Sequence, residues 1–192
     1  MKANKIGIVY IALIGALIAT LCDKNHVETG TLYYPNPFWD GQPWWNYPAF
    51  FVAFVLMSFA YHELTQRLPS TIDRTFSTST GDTKDFTESL IIFALVYILS
   101  GFGNESPIFL NVLFYGLFLL RLTITPDKVF ILIISIMLGI GGAFIEGFMS
   151  NMDLVYYTKP VIYYVPLWLA GLYLHGAFAL RDGMRLFVYK QD

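Results

Sequence analysis

The chain has 192 residues, of which 56% are hydrophobic, 18% aromatic and only 14% charged, with a formal net charge of -2. Soluble domains carry about 25% charged residues, so one globular core is too small for this much apolar surface, and lipid is the natural solvent for the excess. The weak net charge excludes a basic field for nucleic acid, and the single cysteine, Cys22, excludes an internal disulfide and a cysteine zinc site.

Taken in chain order, Met1–Lys5 precedes an apolar run from Ile6 to Cys22. A first transmembrane helix is expected here rather than a signal peptide. No small-x-small cleavage site precedes Asp23, and Leu21 stands where a lipoprotein box needs a small residue. A span needs about 20 mostly apolar residues to cross roughly 30 Å of hydrocarbon. Candidate spans fall at 6–23, 47–66, 86–103, 106–123, 128–150 and 160–180. In lipid the backbone must satisfy its own hydrogen bonds, so runs of this length are helical. The expected fold is all-α: one polytopic membrane helical bundle of about six transmembrane helices over residues 1–192. Pro107 suits the first turn of the fourth helix, after a tight connection from the third.

The connections differ in character. Residues 24–46 are rich in Pro, Trp and Tyr and read as an ordered, membrane-hugging loop. Residues 67–85 are rich in Ser, Thr and Asp and read as a mobile linker. With the N-terminus placed in the cytoplasm, the inside receives Lys2, Lys5, Arg67, Arg74, Lys84, Arg121, Lys128, Arg181, Arg185 and Lys190. The outside receives only Lys24 and Lys159. This bias fits the positive-inside rule and puts both termini in the cytoplasm, in a bacterial inner membrane or an endoplasmic reticulum membrane. Trp39, Trp44, Trp45 and Trp168, with Tyr33, Tyr34, Tyr47, Tyr156, Tyr157, Tyr163 and Tyr164, then form an outer aromatic girdle.

Ionisable groups at membrane depth are costly and usually face a bundle interior. At the outer level stand Asp23, His26 and Glu28, then Glu146, preceded by the small-residue stretch Gly139–Ala143. Glu146 lies about one turn from the boundary. Two environments are open to it: water, or a pocket in which it bonds Asp23 or His26. At the inner level stand His62, Glu63, Glu88, Arg121 and His175. Arg121 can snorkel. His62 and Glu63 point about 100° apart on a helix. His175 is either a neutral interhelical hydrogen-bond partner or a ligand. Only three histidines exist and they lie at different depths, without His-Glu-x-x-His spacing, so no metal site and no cofactor are expected. A Gly-x-Ser-x-Gly elbow and a phosphate loop are also missing from the sequence.

Several stretches resemble the Insig (insulin-induced gene) family of small six-helix membrane proteins. In the last third they are Asn151-x-Asp153-x-x-Tyr156-Tyr157-Thr158-x-Pro160, then Pro166-Leu167-Trp168-Leu169, then Arg181-Asp182-Gly183-Met184-Arg185. Tyr34-Pro35 and Gly41-Gln42-Pro43 resemble the loop that opens the conserved part of that family. The chain departs from the pattern in two ways. Here the Tyr-Pro loop follows the first helix rather than the second, and Thr123–Lys128 does not match the family's Asp-Arg-rich motif. No binding residue is therefore carried over. The resemblance implies a lipid- or sterol-type ligand between helices and a membrane-protein partner.

The expected function is a non-enzymatic, lipid-binding membrane protein with a regulatory or scaffold role. Its pocket would be framed by the second, fifth and sixth spans and capped by the first outer loop. The candidate ligand-binding residues are Asp23, His26, Glu146, Tyr164, Trp168, His62 and His175. The alternative is a membrane enzyme using Glu146 and a histidine for acid–base chemistry on an isoprenoid or sterol-like lipid. A third reading is a small-molecule transporter, suggested by Pro166 and the glycines of the fifth span.

Overall fold

A computed structural model describes residues 3–189. Lys2 and Lys190, counted above for orientation, lie outside the described residues. The elements are α1 (Lys5–Glu28), β1 (Leu32–Tyr33), α2 (Asn46–Arg67), α3 (Thr75–Thr78), α4 (Thr83–Phe102), α5 (Pro107–Ile124), α6 (Lys128–Asn151), β2 (Tyr156–Tyr157) and α7 (Trp168–Gly183). A π-helical turn, Met184–Val188, continues α7.

Local chemistry sets the helix starts. The Asn4 side chain accepts from the backbone of Ile6 and Gly7 at 3.1 and 3.3 Å and caps α1. Asp82 caps α4 through the Asp85 N–H at 2.8 Å, and Pro107 opens α5. Five helices, α1, α2, α4, α5 and α6, are long and apolar enough to cross a membrane. The chain is therefore an integral, multi-pass membrane protein. We keep "outer" for the side that carries residues 29–45 and "inner" for the opposite side.

The last helix differs from the others. α7 has 16 residues, roughly 24 Å at 1.5 Å per residue. Most of its side chains are buried, from Trp168 to Asp182. It is the central post of the bundle, packed by α4, α5 and α6, while the π turn meets α1. An apolar core around Phe93, Leu110, Phe114, Trp168 and Leu172 fills the outer half. A second, around Ile8, Tyr61, Phe130, Ile134 and Met184, fills the inner half.

Helix was expected from residue 160, yet α7 begins only at Trp168. Ile162 and Val165 pair across a two-residue turn in which Tyr163 and Tyr164 have φ of 44° and 64°. This left-handed geometry suits a tight hairpin but is unfavourable for side chains with a Cβ. A matching turn occurs at Trp39–Gln42, where Asp40 and Gly41 have φ of 54° and 76°. The Tyr163 ring stacks on Phe144 with centroids 5.3 Å apart, and Gly147 admits it, because a Cβ there would lie 2.2 Å from Tyr163 Cδ1. Tyr164 is exposed and has no side-chain hydrogen bond among the described residues. Replacing Tyr164 with glycine should therefore raise thermal stability by about 0.5–1 kcal/mol, less than the full left-handed penalty because glycine loosens the unfolded chain. A melting curve of the purified protein in detergent checks this, and a lowered midpoint would contradict it.

Residues 29–45 form the ordered outer cap that their composition predicts. β1 pairs antiparallel with β2, Leu32 opposite Tyr157 and Tyr33 opposite Tyr156. Residues 67–85 depart from a free linker around Ser77–Gly81, where the segment packs against the bundle. Ser77 is buried. Its carbonyl accepts from Tyr61 Oη at 3.1 Å, and its hydroxyl bonds Asp127. The Gly81 N–H donates to the Arg185 carbonyl at 3.0 Å. Polar composition marked this segment as solvated, but its hydroxyls and backbone are used against the end of α7.

Candidate functional site

On the outer side, the end of α1 carries Asp23 and His26 on its buried face. The Asp23 carboxylate is 3% exposed and has no cationic partner among the described residues. Instead, one oxygen accepts from Tyr34 Oη at 2.7 Å, Asn46 Nδ2 at 2.9 Å and Gln42 Nε2 at 3.0 Å. Tyr97 Oη reaches the other oxygen at 3.4 Å. These donors come from the cap, α2 and α4. The carboxylate therefore ties four segments together, and its charge is spread over hydrogen bonds as a buried anion requires.

Glu146 on α6 is half-buried. Tyr173 Oη donates to one of its oxygens at 2.9 Å and Tyr157 Oη to the other at 3.2 Å. Burial pushes the Tyr34 phenol up, followed by the charges of Asp23 and Glu146. Tyr157 is pushed up by burial, then by Glu146, and also by Tyr173 and Asp23. Both carboxylates thus act on the same loop tyrosines, which stay protonated and serve as donors. Asp23 and Glu146 share one tyrosine-rich cluster but do not hydrogen-bond each other. His26 bonds Ser100 Oγ through Nε2 at 2.6 Å, and its ring packs against Tyr97 with centroids 4.7 Å apart.

The small-residue stretch beside Glu146 is mostly filled. A Cβ on Gly142 would lie 2.6 Å from the Tyr173 ring, and one on Gly139 would lie 3.0 Å from Leu174. These glycines let α6 and α7 approach closely, while Gly141 faces open space. Trp168 is fully buried and meets His26 edge-on. Tyr164 lies away from both, at the exposed turn.

The inner candidates separate likewise. His62 Nδ1 lies 3.3 Å from Tyr189 Oη, and its neighbour Glu63 pairs with Arg67 at 2.8 Å on the surface. His175 Nδ1 lies 3.3 Å from Arg121 Nη1, and its Nε2 lies 3.0 Å from the Phe114 carbonyl. Arginine offers only donors. Nδ1 is therefore the acceptor and Nε2–H the donor, which makes His175 a neutral interhelical link. The Arg121 guanidinium does not snorkel outward; it lies 4.0 Å over the Phe178 ring.

A buried ionic cluster at the inner end was not expected from the sequence. Asp182 accepts from Arg181 Nε at 2.8 Å, Arg185 Nη1 at 3.1 Å and Ser89 Oγ at 2.5 Å. Arg185 also meets Asp85 at 3.0 Å, and Arg181 lies 3.7 Å from Asp127. Phe76 from the packed linker lies under both guanidinium groups, at 3.7 and 4.9 Å. The available signal was the spacing of Arg181, Asp182 and Arg185, which puts a carboxylate one helical turn from a second arginine.

Two open-sided grooves lie toward the inner side. One, of about 420 Å³, runs along α4 past Thr83, Lys84, Thr87, Glu88, Ile91 and Ile92. The other, of about 280 Å³, lies between the inner ends of α5 and α6. Although a short turn joins them, α4 and α5 hardly touch beyond it; each leans on α7 instead.

This architecture defines a class: a polytopic α-helical membrane protein with a polar cap, a central buried helix and an ionic inner end. Among solved structures, the chain is similar to the mycobacterial Insig homologue MvINS from Mycobacterium vanbaalenii. The identity is 18%, the match covers 97% of this chain and 96% of that one, and the TM-score is 0.79. A cross-linked trimer of a variant of MvINS matches at 19% identity over 96% of each chain, with a TM-score of 0.77. No protein-family model and no curated protein sequence matches the chain. The protein has an Insig-like fold. The likeness read from scattered residues therefore extends, as a likeness of fold, over nearly the whole chain, including the region of the displaced Tyr-Pro loop.

Proposed function

We propose that the protein binds a lipid from within the membrane and acts as a regulatory or scaffold component there, without catalysing a reaction. The observation that carries this is the α4 groove. Its inner end offers Thr83, Lys84, Thr87 and Glu88, and one to two turns deeper it offers Ile91 and Ile92. The lining surface is almost wholly apolar and starts at the level of Lys84 and Glu88, which suits a lipid chain laid along the helix with its headgroup at the charged boundary. The outer candidates Asp23, His26 and Glu146 hold the cap in place in this reading. No hydrogen bond joins the two carboxylates to each other or to His26, so an acid–base pair is not supported.

Thr87 is exposed, so tryptophan at that position fills the groove while sparing the core. Native mass spectrometry of the purified protein should show retained lipid. Thr87→Trp should weaken retention at least about tenfold, about 1.4 kcal/mol, with little change in fold. Wild-type protein that retains no lipid and shows no thermal shift with any lipid class would overturn the proposal.

A further inference from the structure

His26 and Trp168 are both fully buried, with 0% exposure. Ser100 Oγ lies 2.6 Å from His26 Nε2 and donates its own proton to the Tyr97 carbonyl at 2.6 Å. A hydroxyl has one proton, so Ser100 must accept from His26, and Nε2 carries the hydrogen. An imidazolium buried without a counter-ion is costly, so the ring is neutral and its Nδ1 holds a lone pair. That Nδ1 has no hydrogen-bond partner among the described residues, and neither does the indole N–H of Trp168.

The two unused atoms are complementary. One is an acceptor and the other a donor, on rings whose centroids lie 5.7 Å apart in edge-on contact. Buried polar groups in native proteins are satisfied almost without exception. A group that completes both must donate to Nδ1 and accept from Nε1. A carbonyl cannot donate and an ammonium cannot accept, whereas a hydroxyl does both. We infer that His26 Nδ1 and Trp168 Nε1 together hold one hydroxyl group. Its source is either a buried water, which commonly makes such bonds in folded proteins, or the terminal hydroxyl of an aliphatic alcohol. The site is next to the Tyr97 ring, which packs tilted against His26 with centroids 4.7 Å apart and donates its own hydroxyl toward Asp23 at 3.4 Å. It is separate from the α4 groove, and either can fail without the other.

Magnetic-resonance spectra of the full chain, with nitrogen-15 in histidine and tryptophan, test this. The protein is placed in vesicles of phosphatidylcholine alone and then in the same vesicles containing hexadecanol. If the hydroxyl is water, cross-peaks from water protons to both His26 Nδ1 and the Trp168 indole N–H appear in the first sample. If it belongs to an alcohol, both cross-peaks appear only in the second, from the alcohol proton. A His26 Nδ1 shift typical of an unbonded ring nitrogen in both samples overturns the inference. So does a hydroxyl contact at only one of the two atoms.

Discussion

Replacing Asp182 with alanine is expected to cost about 3–5 kcal/mol, because it leaves two buried guanidinium groups without their shared carboxylate. Asp182 is 2% exposed, and Arg181, Arg185 and Ser89 all converge on it. Asp85 stays on Arg185, but Arg181 keeps only Asp127 at 3.7 Å and the Thr125 hydroxyl at 2.6 Å. The damage should spread to residues 68–82. Phe76 lies under both arginines, and Arg185 accepts from Gly81 through its backbone. Limited proteolysis should therefore cut this segment faster in Asp182→Ala than in wild type. Asp182→Asn keeps the shape and one acceptor and should fall between the two. Equilibrium unfolding in detergent or bicelles measures the cost. A loss under about 1 kcal/mol would mean that water reaches the cluster and that the ion pairs behave as surface pairs.

Apolar length alone made the helices visible, because lipid forces each long run to satisfy its own backbone. Tyr, Trp and Pro likewise marked the outer cap as ordered, and Asp23 supplies the acceptor that holds it. Three features were hidden for physical reasons. The start of the last helix depends on Tyr163 and Tyr164 taking left-handed conformations, against the local preference of both residues. The packed linker is polar in composition, and only the arrival of α7 gives its hydroxyls buried partners. The glycines near Glu146 mark close approach equally well for a ligand or for a neighbouring helix, and Tyr173 takes most of that space. Among the candidate residues, Asp23, His26, Glu146 and Trp168 do gather in the outer half. Their partners, chiefly Tyr34, Tyr97, Tyr157 and Tyr173, come from distant segments that pattern alone could not bring together.

Asp23→Ala should be the most damaging change on the outer side, at about 3 kcal/mol or more. It removes the acceptor of Tyr34 and Asn46, weakens Tyr97 and leaves Gln42 with the Thr20 carbonyl at 3.0 Å, and each buried unsatisfied donor costs about 1–3 kcal/mol. Part of that loss is recovered as water enters the gap, so the individual costs do not add in full. Asp23→Asn should behave differently, because it keeps an acceptor oxygen of the same shape while removing the buried charge. If hydrogen bonding to the cap is what matters, Asn restores more than half of the lost stability. If the negative charge itself is required, Asn is as damaging as Ala. Hydrogen exchange over residues 29–45 separates these cases. The cap amides should exchange much faster in Asp23→Ala and close to the wild-type rate in Asp23→Asn, while the amides of α7 change little in both. Fast exchange throughout the bundle in the alanine variant would instead make the outer cluster part of the global core, with no independent role as a cap.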